Sequence, residues 1–137
     1  MSRLSVFLHP VTTQMEEEIV VSSRFLDEKG NPVPFKVRSL TQEENDALTK
    51  QSTRRIKMDG QIQERLDNVE YTRRLVVAAT VDPDFSSKEL CDGLGVVDPL
   101  LVPGKLLLPG EYRKLCNKIM ELSGFDETGA EEAEAKN

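Results

Sequence analysis

Length, composition and charge describe one globular domain and exclude several classes of protein. The 137 residues can bury a real core, and with 38% hydrophobic and 31% charged residues and no long apolar run they predict neither a transmembrane helix nor a secretory leader. The net charge is −6, most of it in residues 126–137, so the chain lacks the basic surface that supplies most non-specific affinity for nucleic acid. We therefore expect a cytoplasmic protein that binds neither nucleic acid nor membranes.

Residues 1–17 have no regular apolar period and are predicted to form an irregular N-terminal arm. The sole histidine of the chain, His9, lies in this arm directly before Pro10. One histidine cannot form a multi-histidine metal site, and its position in an irregular arm does not indicate a nucleophile–base pair. We interpret His9 as a surface histidine and assign the single folded domain to residues 18–125.

An alternation of residue types with period two begins at Ile19 and predicts a half-buried strand that ends near Leu26. Turn-forming residues follow in the sequence DEKGNPVP, and a second alternating stretch, FKVRSL, ends at Leu40. Together they predict an antiparallel β-hairpin with a long loop. A two-stranded ribbon is marginally stable in water, so its apolar face should lie on helices.

The sequence Thr41-Gln42-Glu43-Glu44 is a capping box, which predicts a helix that begins here and ends at about Arg55. The next segment, residues 57–66, contains the turn signal Asp59-Gly60. Because the residues on both sides of this turn are polar, the sequence does not distinguish a small hairpin from a loop.

Asp67 and Glu70 repeat the capping pattern and predict a second helix that runs to about Thr80. Its second half is apolar all round, which indicates a central helix, although two adjacent valines leave a strand as the minority alternative. Pro83 prevents its continuation. Residues 86–89 then begin a third, short helix that ends at Gly93.

The clearest signal is a helix from Pro109 to Ser123, closed by Gly124 and Phe125, because its start, apolar stripe and stop agree. We therefore predict an α+β fold in which one N-terminal antiparallel β-hairpin packs on three to four helices and the C-terminal half is mostly helical. The alternative is a wholly helical chain. Residues 126–137 are acidic, lack any aliphatic residue larger than alanine, and are predicted to be a disordered tail.

The segment between the third and last helices, residues 96–108, is unusually apolar, and Pro99 and Pro103 are predicted to block regular structure in it. Its apolar residues have no period that would bury them all on one side. They either cross the core or remain exposed as a surface that a partner helix could cover. The candidate partner-binding residues are Leu100, Leu101, Val102, Leu106 and Leu107.

No pattern in the chain indicates catalysis. Cys91 and Cys116 lack metal-ligand spacing and are interpreted as buried free thiols, and the carboxylates lie in solvated runs or at helix starts. The sequence contains no phosphate-binding loop, nucleophile elbow or calcium loop. We therefore expect no cofactor and no metal, and the residues alone indicate an adaptor or binding domain.

Three blocks of the chain resemble the XkdN-like family of phage tail assembly chaperones. The blocks are IVVSSRFLDEKGNPVPFKVRSLTQEENDAL, YTRRLVVAATVDPDFSSKELCDGLGV and KLLLPGEYRKLCNKIMELSGF. The positions that carry the resemblance are Arg24-Phe25, Gly30, Pro32, Lys36, Arg38, Thr41 to Glu44, Asp82 to Phe85, Glu89-Leu90, Pro109 to Tyr112 and Gly124-Phe125. The order and spacing of these pieces over about residues 18–125 are more specific than any one of them.

The resemblance implies a non-catalytic protein of a long-tailed phage or prophage. It would bind the tape measure protein in the host cytoplasm, keep it soluble while the tail tube assembles, and be absent from the mature virion. The major tail protein and a second copy of the chain are further candidate partners. The alternatives are a structural tail or tail-completion protein and a small regulatory nucleic-acid-binding protein.

Overall fold

Short strands and helices alternate through residues 3–12 and 14–125, the part of the chain that the structure, a computed structural model, describes. The strands are β1 Glu16–Ile19, β2 Phe35–Arg38, β3 Thr53–Met58, β4 Gln61–Leu66 and β5 Thr80–Asp82. The helices are α1 Ser5–Leu8, α2 Gln42–Gln51, α3 Asn68–Ala79, α4 Lys88–Leu94, α5 Val102–Leu106 and α6 Pro109–Leu122, with a 3₁₀ turn at Pro99–Leu101. The predicted α+β fold with an N-terminal antiparallel hairpin is confirmed.

The main sheet has the antiparallel strand order β1-β2-β5, with Ile19 opposite Phe35 and Glu16 opposite Arg38. The predicted position of the first strand was wrong, because it ends at Ile19 and residues 20–34 form the β1–β2 loop. Within this loop the Arg24 guanidinium donates to the carboxylate of Glu111, 87 residues further along the chain. Strand β5, at the end of α3, was not predicted.

A second sheet consists of β3 and β4 alone, joined at Asp59-Gly60. Both turn residues have positive φ, 52° and 78°, as a type I′ hairpin turn requires. Of the two alternatives that the sequence left open for residues 57–66, the hairpin is therefore the one present. The predicted end of the preceding helix at Arg55 was wrong. Helix α2 ends at Gln51, since the backbone groups from Thr53 onward pair with β4.

The capping interactions predicted for α2 are present. The Glu44 backbone N–H donates to the Thr41 hydroxyl at 3.1 Å, and the Thr41 backbone N–H donates to Glu44 Oε1 at 3.0 Å. Arg38 also donates to the Glu44 carboxylate, at 2.7 Å, and is the main cause that lowers the pKa of Glu44 to about 2. The start of α2 is therefore joined to the end of β2.

The core lies between the main sheet and helices α3 and α6. Leu75 and Val76 of α3, Leu115 and Ile119 of α6, and Val37 of β2 are almost completely buried. The second half of α3 is helical as predicted, with Leu75, Val76 and Ala79 facing inward and Ala78 exposed. Helix α6 follows its predicted bounds to within one residue, and Gly124, at φ 84°, closes it.

The prediction that prolines block regular structure in residues 96–108 was wrong. Pro99 begins the 3₁₀ turn and Pro103 lies in the first turn of α5. A proline at these positions removes an N–H that would have no helical acceptor, so it costs little. Two short helical pieces therefore carry the chain from α4, which ends at Leu94, one residue after the predicted end, to α6.

The N-terminal arm is not wholly irregular, because it contains the helical turn α1, and β1 already begins at Glu16. The division into an arm, one domain from residue 18 to 125 and a tail stays a prediction. The tail predicted at residues 126–137 lies outside the described residues.

Candidate binding groove

The residues predicted from sequence to bind a partner do not form one surface. Val102 is completely buried and Leu107 nearly so, and both belong to the core. Leu100 and Leu106 are half-buried, and Leu101 is 44% exposed. In this conformation the side chains of Val102 and Leu107 are enclosed in the core, which leaves Leu100, Leu101 and Leu106 as the accessible members.

Leu106 lies in the wall of an open apolar groove, which sequence analysis did not find. The groove has a volume of about 450 Å³ and is lined by Arg24, Phe25, Leu26, Val33, Pro34, Phe35, Asp82, Pro83, Leu90 and Leu106. A second recess, of about 600 Å³, shares Asp82, Pro83 and Leu90 and extends along α4 to Leu94. Because they share these three lining residues, the two recesses are neighbours on the surface.

Aromatic side chains form the floor of the groove. The ring centroids of Phe25 and Phe35 are 5.7 Å apart, and those of Phe35 and Phe85 are 6.4 Å apart in an edge-on arrangement. Phe35 and Phe85 are buried, whereas Leu26 is 53% and Val33 39% exposed. The floor is therefore part of the core, while the rim presents aliphatic side chains to solvent.

An ion pair fixes the β1–β2 loop at one end of the groove. Arg24 Nε is 3.0 Å from Glu111 Oε2 and Arg24 Nη2 is 2.5 Å from Glu111 Oε1, and Nη2 also donates to the Leu106 carbonyl at 3.1 Å. The guanidinium carbon lies 4.9 Å from the Phe25 ring centroid. These contacts hold the loop against the start of α6, so the apolar wall of the groove is fixed in place.

The Glu111 carboxylate is almost completely enclosed, with 10% of its side chain exposed. The Arg24 guanidinium and then the Leu108 backbone N–H, which donates at 2.8 Å, lower the pKa of Glu111 to about 2. Because the carboxylate is charged at neutral pH and is paired on both oxygens, it connects two segments rather than titrating near pH 7.

We expect Glu111→Gln to reduce stability at neutral pH and to make the remaining stability less sensitive to acid. Because the folded-state pKa of Glu111 lies below the ordinary value, its contribution is fully present above about pH 4.5 and is lost as the pH falls toward 2. Urea unfolding at pH 7, 4 and 3 should show the difference between the variant and the parent chain shrinking with acidity. A difference that stays constant over this range would contradict the assignment.

Carboxylates surround the end of the groove that faces α4. Asp82, Asp84 and Glu89 line the two recesses, and within the described residues none of them has a basic group within ion-pair distance. The nearby Lys36 pairs with Glu16 at 3.0 Å instead. The rim is therefore acidic, and a partner with basic side chains beside its apolar residues would complement it.

Neither cysteine offers a reactive site on this surface. Cys91 is buried with its thiol toward the Phe85 carbonyl, and burial raises the pKa of the half-buried Cys116 thiol. Within residues 3–12 and 14–125, no group of three or more His, Cys, Asp or Glu side chains could hold a metal ion. Over the same ranges, no helix combines the length and apolar character needed to cross a membrane.

The sequence did contain a signal for the groove, in the apolar residues on both sides of the Gly30-Asn31-Pro32 turn. The Phe25 carbonyl accepts from the Val33 N–H at 2.8 Å, which closes this loop on itself and places Leu26 beside Val33. A regular hairpin would instead have alternated these side chains between two faces.

Comparison with known proteins gives concordant results. The family model described as phage XkdN-like tail assembly chaperone protein matches residues 4–136. The phage-like element PBSX protein XkdN of Bacillus subtilis (strain 168) is 36% identical over 139 residues, which covers 98% of this chain and 93% of that protein. The uncharacterized protein YqbN of the same strain is 38% identical over 128 residues, 90% of this chain and 85% of that protein. The crystal structure of the protein YqbN superimposes with a TM-score of 0.77 at 35% sequence identity, covering 92% of this chain and 99% of that chain.

Proposed function

The chain belongs to the XkdN-like family of phage tail assembly chaperones, and from this premise we propose that it binds the tape measure protein and keeps it soluble while the tail tube assembles. The proposed role is non-catalytic, is carried out in the host cytoplasm, and leaves no copy of the chain in the finished tail. The observation that carries the proposal is the apolar groove with the exposed aliphatic side chains of Leu26 and Val33 on its rim.

The dimensions and chemistry of the groove suit one face of an amphipathic helix. Two adjacent recesses that share Asp82, Pro83 and Leu90 offer places for more than one apolar side chain of the same helix face. The acidic rim favours helices in which Lys or Arg flanks the apolar stripe. A long, helical tape measure protein offers such segments repeatedly, so several copies of the chain could cover it.

The test is co-expression of the tape measure protein with the tagged chain, followed by co-purification. We expect Leu26→Lys to reduce the affinity roughly tenfold or more, because it replaces a rim leucine by a charge and one buried leucine is worth about 1.5–3 kcal/mol. Leu26 is more than half exposed, so thermal unfolding should change little.

Ile62→Lys is the matched control, since Ile62 is 69% exposed on the β3–β4 hairpin, outside the groove. It should leave both solubility and co-purification of the tape measure protein unchanged. Equal binding by the Leu26→Lys variant and the parent chain would contradict the groove as the site. Recovery of the chain in purified tails would instead support a structural tail component.

A further inference from the structure

The N-terminal arm presents a second apolar feature for which the chain's own core has no place. In α1, Val6, Phe7 and Leu8 are 69%, 67% and 75% exposed. One helical turn with three large apolar side chains in water is not stable by itself, because helices this short depend on packing. The arm therefore has the composition of a segment that docks on another surface.

We propose that the arm of one copy docks in the groove of a second copy, so that two chains exchange arms. The proposed occupant is the turn α1, with Phe7 entering between Leu26 and Leu90. The groove, at about 450 Å³, lies in the range of sites that accept a compact group of a few side chains. The exchange itself does not depend on the proposed function of the groove.

The direction of the arm favours a second copy over the same chain. The Ser39 N–H donates to the Met15 carbonyl at 2.7 Å, which continues the β1–β2 ladder past the pair of Glu16 and Arg38. The arm therefore leaves the sheet at the Arg38 end of β2, whereas Phe35 at the opposite end of β2 lines the groove. Each arm therefore begins at the end of β2 that is farther from its own groove.

Charge complementarity supports the same pairing. Residues 1–15 contain Arg3 and no carboxylate, in a chain that is otherwise rich in acidic residues. The groove presents the carboxylates of Asp82, Asp84 and Glu89 on its rim. Arg3 lies on the same side of α1 as Phe7, with its guanidinium 5.9 Å from the ring centroid, so docking of Phe7 brings this cation toward the acidic rim.

Because each chain carries one arm and one groove, reciprocal exchange closes a two-fold dimer. If the groove also binds a tape measure helix, which is the proposed function, the arm competes with that helix. The free protein would then cover its own apolar rim and uncover it when the partner binds.

The test measures molar mass by light scattering over a range of concentrations, with the full-length chain and no tape measure protein. We expect the parent chain to dimerise, and Phe7→Asp and Leu26→Lys each to be monomeric. Val11→Asp is the arm control, because Val11 is completely exposed beyond α1, and Ile62→Lys is the groove control. Both controls should dimerise like the parent chain.

A mixing experiment separates arm exchange from a general loss of association. The Phe7→Asp chain keeps an intact groove, and the Leu26→Lys chain keeps an intact arm. When the two variants carry different labels and are mixed, they should associate with each other. Their affinity should be lower than that of the parent dimer, because only one of the two arm–groove contacts can form. If Leu26→Lys proves poorly folded, Val33→Lys takes its place as the groove variant, because Val33 is another exposed residue of the rim. It should also be monomeric and associate with the Phe7→Asp chain.

The proposal is overturned if the parent chain is monomeric at every concentration, if Phe7→Asp dimerises like the parent, or if the mixture of the two monomeric variants does not associate. The Phe7→Asp chain should still co-purify with the tape measure protein, because its groove is intact. Loss of arm exchange and failure of the proposed function therefore give different results.

Discussion

Phe85→Ala is expected to lower the free energy of unfolding by about 3–5 kcal/mol, the range for removing a fully buried phenylalanine. The Phe85 side chain is completely buried, and its ring meets the edge of Phe35 beneath the groove. Its removal leaves a cavity in the core, and the loss should appear in urea unfolding at neutral pH as a lower midpoint with a similar slope.

The control for Phe85→Ala is Phe7→Ala, the same chemical change at a side chain that is 67% exposed. We expect this variant to differ from the parent by at most about 0.5 kcal/mol at concentrations where the chain is monomeric. A loss below about 1 kcal/mol for Phe85→Ala would mean that the ring is not part of the cooperative core, contrary to the packing described above.

The second large effect is expected from Val102→Asp. Val102 is completely buried in α5 as part of the hydrophobic core, so an aspartate there would be enclosed among apolar side chains. The cost should be on the order of 4 kcal/mol or more, enough to unfold a marginally stable domain. Circular dichroism and thermal unfolding measure it directly.

Its neighbour Leu101 provides the contrast, because it is 44% exposed at the end of the 3₁₀ turn. Leu101→Asp should change the free energy of unfolding by no more than about 1 kcal/mol. The pair therefore distinguishes core from surface within two adjacent residues. Similar losses in both variants would show that the exposed fraction of Leu101 does not reflect its packing.

Local signals in the sequence predicted helices α2, α3, α4 and α6, but not α1 or α5. The capping residues Thr41 and Asp67 both begin helices, and the stripe closed by Gly124 is helix α6. Each of these signals depends on residues three or four positions apart, so no knowledge of distant contacts is needed. The α+β class followed from the same kind of local information.

The position of the first strand could not be predicted, because it depends on a contact between distant residues. Alternation continues in the sequence to Leu26, yet pairing stops at Ile19, and the residues that follow contact distant parts of the chain, as Arg24 contacts Glu111. Which residues of α5 are buried could not be predicted either, because an element of five residues is too short to show a period that identifies its inner face. The groove depends on both features, and sequence analysis therefore identified only Leu106 of its wall.

The ion pair between Arg24 and Glu111 also sets the order in which the groove can be completed. During synthesis the β1–β2 loop leaves the ribosome long before Glu111 does. Joining residues so far apart in the chain has an entropy cost, which is offset only when the rest of the domain packs. The loop cannot be fixed until almost the whole domain has been synthesised. A chain cut short before Glu111 would contain every side chain that lines the groove, including Leu106, and still lack the carboxylate that pairs with Arg24 and holds the loop in place.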